Sequence, residues 1–369
     1  MQAIFAYLTA KEADYNICKQ KAQDQFLPDL NSMEVQDKKM LSQDRETTGK
    51  VFDQVNQGGF DSIGEDIKPD IIKEVKHFRR DWQNRLPENK IHFKKRMIAD
   101  LSAIYDDYIK LLSLIIEIEE LIDAQKRKKG IEHNNFKKNI IITALKKYEP
   151  FQNEKSRKNI SWDSDLIRAW HKEYIKSQEF YEEYDNLSQA KYEDDLELCL
   201  DIYKNVIFKH DNINDYFESL DIGWTEDKPI LKSMVLKTIK SIEKEGDEPL
   251  LMELSKNWEE DLDFLKELYD LTIDNEEELS VLIKEKSQNW EIDRVALTDR
   301  IILEMAIAEM THFPSIPVKV TINEYIELSK QYSTPKSKQF VNGLLDVLSV
   351  DLQEQGRIKK SGRGLLDNK

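Results

Sequence analysis

The chain has 369 residues, and its 71 acidic and 55 basic side chains give a formal charge of −16. Its 11 Gly and 9 Pro are too few for a collagen-like or low-complexity protein. Its two cysteines, Cys18 and Cys199, supply neither a disulfide framework nor a cysteine-based zinc site. No apolar stretch is long enough to cross a membrane and no export signal follows Met1, so we expect a cytoplasmic protein that binds no membrane.

The charge is distributed unevenly along the chain. Residues 68–98 and 124–158 form two basic islands with net charges of +6 and +8, whereas residues 159–310 carry −22. Such basic runs are usually solvated helix faces or connectors. Aromatic residues lie among them and keep an RNA-binding surface as the alternative, because bases stack on aromatic rings. These residues are Phe78, Trp82, Phe93 and Phe136.

Apolar residues recur at three- and four-residue steps along most of the chain, which is typical of amphipathic helices. The longest such segment is 96–124, and turn-forming residues such as Pro87 are expected to interrupt the chain before it. Further helices are predicted at about 164–184, 192–208, 228–244, 259–273, 294–311, 319–331 and 337–350. Because no segment of useful length alternates with a period of two, the predicted fold class is all-α.

The middle of the chain resembles the segment that follows it when the two are offset by 66 positions. The aligned identical pairs include Tyr203 with Tyr269, Trp224 with Trp290, Asp227 with Asp293 and Leu231 with Leu297. Two explanations remain open. Either two helical hairpins of similar design coincide by chance, or a three-helix unit was duplicated, as stacked helical modules allow.

The sequence shows no recognisable catalytic or metal-binding motif. The six histidines are scattered, and Glu74 with His77 has the spacing of only one half of a di-iron site. Phosphate-binding glycine loops and a nucleophile elbow are also missing. Acidic pairs are so frequent that none stands out as a general acid and base. We therefore expect no enzyme activity, no metal and no cofactor.

Residues 289–348 contain three predicted helices with distinctive sequences. They include DRIILEMAIAEM from Asp299, IPVKVTINEYIEL from Ile316 and SKQFVNGLLDVL from Ser337. Either Thr334 or Ser337 is expected to cap the third helix. Its apolar stripe predicts an inward face formed by Phe340, Val341, Leu344, Leu345 and Leu348.

These motifs resemble the NusB family of transcription antitermination factors, which are all-helical RNA-binding proteins. Residues 1–7, MQAIFAY, resemble the first helix of that family. The resemblance implies NusB-like helical bundles with a large helical insertion after the first helix, as in long Bacteroidetes-type chains. The implied domains are 1–10 as the first helix, 11–250 as the insertion of unknown role, 251–352 as the RNA- and partner-binding domain, and 353–369 as a basic flexible tail.

The resemblance also implies a function without catalysis. NusB proteins pair with the ribosomal protein NusE and hold boxA-type RNA against elongating RNA polymerase, which supports ribosomal RNA transcription. The implied RNA-binding residues are Phe5, Lys336, Ser337, Lys338, Phe340 and Asn342. Lysines neutralise phosphates, and Phe340 is expected to lie under a base. The residue implied to face NusE is Asp299, whose carboxylate suits an arginine or lysine.

Two features depart from the family pattern. The Arg-rich stretch that precedes the first helix in the family is not found before Met1, and Glu304 stands where the family usually has a basic residue. Either translation starts further upstream and supplies a basic N-terminal extension, or the RNA contact is supplied elsewhere. The two basic islands and the basic residues of 357–363 are candidates for replacement contacts. The alternative function is a helical protein-interaction adaptor that has lost RNA binding. An RNA methyltransferase is not expected, because its catalytic domain would follow the NusB-like domain and only 349–369 remain there.

Overall fold

The computed structural model describes residues 1–31, 33, 35–64, 66–129, 134–287 and 295–368. All regular secondary structure in these residues is helical, which confirms the predicted all-α class. None of the described helices combines the length and the hydropathy of a membrane span. The chain forms two compact units, here called the first unit (Met1–Ile98 with Glu259–Lys369) and the second unit (Ala99–Trp258).

The helices follow one another with short connections. In chain order they are α1 (Gln2–Asp24), α2 (Lys38–Gly58), α3 (Pro69–Lys128), α4 (Asn135–Lys138), α5 (Ile140–Lys147), α6 (Glu149–Arg157), α7 (Ser164–Trp170), α8 (Glu179–Asn186), α9 (Tyr192–Asp201), α10 (Asp211–Leu220), α11 (Trp224–Lys240), α12 (Trp258–Asp274), α13 (Glu276–Lys286), α14 (Leu297–His312), α15 (Val318–Tyr332) and α16 (Pro335–Glu354). Helices α7 and α9 continue into π-helical turns at His171–Ile175 and Ile202–Ile207.

Helix α14 is the central helix of the first unit because its sequence is apolar on nearly every side. Ile301, Ile302, Leu303, Ala306 and Ile307 are all 0% exposed. Helices α1, α13, α15 and α16 pack around it. The predicted helices of 259–350 therefore assemble into one bundle, and the N-terminal helix joins them.

Helix α1 is longer than the predicted first helix of residues 1–10. It continues to Asp24 because no Gly or Pro interrupts it and because its second half has partners of its own. Ile4 and Leu8 lie in the bundle core around α14. Cys18 and Ala22 lie in a smaller apolar cluster with α2 and α3. One helix thus joins two cores of the first unit.

The expected interruption at Pro87 is wrong, since α3 runs through it. Contacts with α1 hold the helix on the N-terminal side of the proline and just after it. Trp82 donates its indole N–H to the carbonyl of Lys11 at 3.2 Å, and Arg85 pairs with Asp14 at 2.9 Å. Tertiary contacts of this kind offset the hydrogen bond that a proline removes from a helix interior.

The structure also differs from the predicted flexible tail of 353–369. The chain turns at Gly356, where φ is +67°, and returns to the bundle. Ser361 donates its backbone N–H to the carbonyl of Pro314 at 2.9 Å. A Cβ on Gly364 would lie 2.0 Å from that same carbonyl oxygen, so only glycine fits there. The tail is docked because its backbone hydrogen-bonds to the chain just after α14.

The second unit has a large apolar core of its own, in which Trp224 and Tyr203 are nearly fully buried. A buried carboxylate joins two of its helices. Asp195 of α9 accepts the hydroxyl of Tyr184 at 2.6 Å and the backbone N–H of Ile140 at 2.7 Å. Since both carboxylate oxygens are bonded, this aspartate fixes α9 against the start of α5 and is satisfied where it lies.

The 66-residue similarity has a structural counterpart in the described residues. Residues 192–207 correspond to 258–273, and both segments are helical. Tyr203 donates its hydroxyl to the carbonyl of Leu111 at 2.6 Å, and Tyr269 donates to that of Lys90 at 3.1 Å. Both acceptors belong to α3, so the two segments share a hydrogen-bonding design, which favours duplication. The predicted partners Trp290 and Asp293 lie outside the described residues.

Candidate nucleic-acid and partner interface

The N-terminus of α16 presents two lysines to solvent. Thr334 is the N-cap, and its hydroxyl accepts the backbone N–H of Ser337 at 3.3 Å, which decides between the two predicted caps. Lys336 and Lys338 are exposed, and neither side chain forms an ion pair or hydrogen bond with a described residue. Two ammonium groups therefore lie at the positive end of a 20-residue helix, an arrangement that attracts phosphate.

The predicted stacking role of Phe340 is not available in this structure. The Phe340 side chain is 7% exposed and belongs to the core of the first unit. A base cannot lie on a ring that other side chains already cover. Asn342 is half-buried and lies one turn after Lys338 on the same face of α16. The exposed part of the predicted RNA-binding set on this helix is thus polar and cationic.

Phe5 is 40% exposed on the first turn of α1, so its ring is accessible. Neighbouring positions on α1 are buried: Ile4 is 2% and Leu8 is 6% exposed. An exposed phenyl group beside two anchoring side chains is a surface feature that the core does not require. Phe5 therefore remains available for contact with a base or a partner.

The acidic residues at the start of α14 are buried. Asp299 is 4% exposed, and its Oδ1 atom has no hydrogen-bond partner among the described residues. Glu304 is 1% exposed and accepts the hydroxyl of Ser280 at 2.9 Å. Glu304 therefore does not face RNA or a partner directly, although it stands where the family usually has a basic residue.

Glu304 belongs to a chain of alternating charges between three helices. Lys11 of α1 pairs with Glu276 of α13 at 2.6 Å, and Arg300 lies 3.9 Å from Glu276 and 3.6 Å from Glu304. Burial disfavours the charged carboxylate and raises the pKa of Glu304 to about 7, although Arg300 and Ser280 act in the opposite direction. This group therefore changes its charge near neutral pH.

The two basic islands mostly serve structural ion pairs. In the first unit Lys68 pairs with Asp44 and Arg85 with Asp14. In the second unit the paired residues are Lys126 with Asp185, Lys146 with Glu119, Lys155 with Glu117 and Lys158 with Asp106. These pairs support the interpretation of the islands as helix faces. The proposed RNA surface of Phe78, Trp82, Phe93 and Phe136 is not supported, since all four rings are buried or half-buried.

The second unit contains a cleft that the sequence did not predict. Its volume is about 1220 Å³, and its lining includes Lys138, Lys147, Asp195 and 245–249. Lysines and carboxylates face the same space, so the cleft has no single charge preference. The residues come from α4, α5, α9 and a loop, which explains why no local sequence signal marked it. Among the described residues no cluster of His, Cys, Asp and Glu has the arrangement of a metal site.

Comparisons with known proteins identify the bundle. The sequence model of the NusB family matches residues 230–349. Three relatives, each described as transcription antitermination protein NusB, are similar to this chain. That of Salinibacter ruber is 45% identical over 104 residues, that of Chloroherpeton thalassium 42% over 105, and that of Bacillus licheniformis 41% over 90. No solved structure matches the chain.

The matched segments cover 28%, 28% and 24% of this chain, and 65%, 50% and 70% of the three relatives in the same order. The chain thus spans less than two thirds of the first two. The fold defines the class of protein, an all-α helical bundle. Within that class the chain belongs to the NusB family, as the resemblance implied.

The range matched by the family model and the packing of the helices disagree about one helix of the bundle. The range 230–349 begins within α11, but Leu231 and Ile239 of that helix lie in the core of the second unit. In place of α11, it is α1 that joins the bundle around α14, through Ile4, Tyr7 and Leu8. The packing therefore supports the assignment of the N-terminal helix to the NusB-like bundle. The domain limits at residues 10 and 250 remain a prediction.

Proposed function

We propose that this protein is a transcription antitermination factor that binds boxA-type RNA together with the ribosomal protein NusE. It would thereby act on the RNA polymerase elongation complex, in the cytoplasm and without catalysis, and support ribosomal RNA transcription. The observation that carries the proposal is the pair of exposed lysines, Lys336 and Lys338, whose side chains pair with no described residue and which lie in the segment that is similar to NusB proteins.

The charge distribution supports RNA binding at this place. Most cations in the basic islands are held in ion pairs, and breaking such a pair to bind phosphate would cost part of the energy gained. Lys336 and Lys338 carry no such cost. Because Phe340 is buried, we propose that it positions α16 and that the lysines, Ser337 and Asn342 contact the RNA. Phe5 is the candidate for an aromatic contact.

Replacing both lysines with alanine should weaken binding of a short boxA-like RNA and reduce its salt dependence. Two lost phosphate contacts on a single strand should flatten the slope of log affinity against log salt by about 1.4, which is roughly a 25-fold loss at 0.1 M salt. Fluorescence anisotropy over a salt series, with and without NusE, measures both quantities.

The matched control is K38A/K39A, which removes two exposed lysines from the first turn of α2 in the same unit. This variant should bind as the wild type does. Equal losses in both variants would show that only net charge matters. An absence of RNA binding by the wild-type protein, even with NusE present, would leave the adaptor function in its place.

For the contact with NusE we propose the start of α14. Asp299 is buried, and its Oδ1 atom lacks a hydrogen-bond donor among the described residues. Because Asp299 is 4% exposed, a donor from a basic partner would reach this atom only if the side chains that cover it move on binding. Asp299→Asn keeps the shape and removes the charge, so it should weaken NusE binding at least tenfold, since charge-assisted hydrogen bonds are the stronger class. Titration calorimetry measures the affinity, with exposed Asp346→Asn as the control; equal affinities for all three proteins would contradict this contact.

A further inference from the structure

Exposed apolar side chains mark the turn between α10 and α11 in the second unit. Ile222 is 93% exposed, Leu220 is 58% exposed and Ile230 is 50% exposed. Scattered exposed apolar residues are ordinary, but these three lie within eleven residues of the chain. The structure therefore leaves three aliphatic side chains exposed at the end of α10, in the turn and in the second turn of α11.

Carboxylates surround these side chains. Asp221 precedes Ile222, and Asp227 lies one turn before Ile230 on the same side of α11. A Cβ on Gly223 would lie 3.3 Å from Asp221 Oδ1 and 3.3 Å from Asp227 Oδ2, so both carboxylates converge on this glycine. Asp107 of α3 interacts electrostatically with both. Aliphatic and acidic side chains thus occupy one neighbourhood.

These three carboxylates, Asp107, Asp221 and Asp227, have no ion-pair partner among the described residues. The neighbouring Asp106, by contrast, pairs with Lys158. Lys110, one turn from Asp107, has its ammonium group 5.0 Å from the centre of the Trp162 ring instead. Asp221 does accept the backbone N–H of Gly223 at 2.9 Å, which supports the turn. Asp221 therefore has a role in the turn, whereas the turn gives no role to Asp107 or Asp227.

Burial and the neighbouring carboxylates both disfavour the charged form of Asp107 and Asp227. Burial, chiefly, and then neighbouring carboxylates raise the pKa of Asp107 and the pKa of Asp227 to about 6. The charged groups that face Asp107 are Lys110, Asp221, Asp106 and Asp227, and those that face Asp227 are Asp221, Glu226 and Asp100. A cation brought to this place would interact with several carboxylates at once.

We propose that this aliphatic and acidic surface, formed by Leu220, Asp221, Ile222, Asp227, Ile230 and Asp107, binds a basic protein segment that carries Arg or Lys beside aliphatic residues. The basic groups would neutralise the carboxylates while the aliphatic groups cover Ile222 and Ile230. An acidic surface repels phosphate, so RNA is not the partner here. The proposal does not depend on the RNA-binding function proposed for α16.

The test uses the full-length protein and a 12-residue peptide with four arginines spaced by leucine and valine. D221N/D227N should weaken peptide binding at least tenfold, and I222S/I230S at least fivefold. The matched controls are E193Q/E197Q, which removes two exposed carboxylates of α9, and L250S, which removes another exposed leucine of the second unit. Both controls should change the affinity less than twofold.

The pH dependence of peptide binding supplies a second readout. Wild-type affinity for the peptide should fall at least tenfold from pH 7.5 to pH 5, because Asp107 and Asp227 become neutral, and D221N/D227N should lose most of that dependence. Equal losses in E193Q/E197Q and D221N/D227N would overturn the proposal in favour of general electrostatics. Competition by an oligouridylate, or a dimer that I222S/I230S abolishes, would also overturn it.

Discussion

Replacing Ile4 and Leu8 of α1 with alanine should destabilise the first unit by about 4 to 10 kcal/mol, since each deletion of a buried aliphatic side chain costs about 2–5 kcal/mol. Both side chains lie in the core around α14. A loss of this size approaches the whole stability of a typical domain. Hydrogen exchange of α14 and α16 amides along a urea titration measures the effect on the first unit alone.

The matched variant is L231A/I239A, which removes the same two side-chain types from α11. Leu231 and Ile239 are 0% exposed in the core of the second unit. Their replacement should accelerate exchange in the second unit and leave α14 and α16 protected. The opposite pattern, with α14 exposed by L231A/I239A and unaffected by I4A/L8A, would mean that α11 supplies the first helix of the NusB-like bundle.

Glu304→Gln should stabilise the first unit at pH 8 by about 3 kcal/mol and change little at pH 5. The folded pKa of Glu304 is raised to about 7 from a reference value of 4.5. Between these values the folded protein binds the proton more strongly than the unfolded chain does. Wild-type stability therefore decreases as the pH rises from 4.5 through 7, whereas glutamine does not ionise.

Urea unfolding of α14 at pH 5, 6, 7 and 8 checks this difference, and Glu277→Gln is the control. Glu277 is exposed on α13, so its replacement should give no step near pH 7. The carboxylates of the second unit titrate identically in all three proteins and cancel in the comparison. A gain from Glu304→Gln that is constant from pH 5 to pH 8 would show that Glu304 ionises normally in the fold.

The helices of the C-terminal part could be predicted closely from periodicity. The predicted segments 319–331 and 337–350 correspond to α15 (Val318–Tyr332) and α16 (Pro335–Glu354). Their apolar stripes are local patterns that face a single core. Helix α2 and the start of α3 are too polar for such a pattern to identify them. They pack against α1 through a few apolar side chains, such as Phe52 and Ile71, which share a cluster with Cys18 of α1.

The candidate site was only partly predictable. Lys336 and Lys338 are exposed, as an RNA-binding role requires, but Phe340 and Asp299 are buried. A motif indicates which residue types occur together and does not show which side of a helix other helices cover. Glu304 illustrates the same limit, because its low exposure results from the packing of α13 against α14.

The sequence by itself determined the helical class and the membership in the NusB family, because both follow from local periodicity and from motifs within 299–348. The tertiary structure decided which charges remain available. Lys90 pairs with Asp274 and Lys158 with Asp106, across long separations in the chain that no local pattern reveals. Net charge along the chain cannot distinguish a neutralised lysine from an available one, since that depends on which carboxylate the fold brings within a few ångströms.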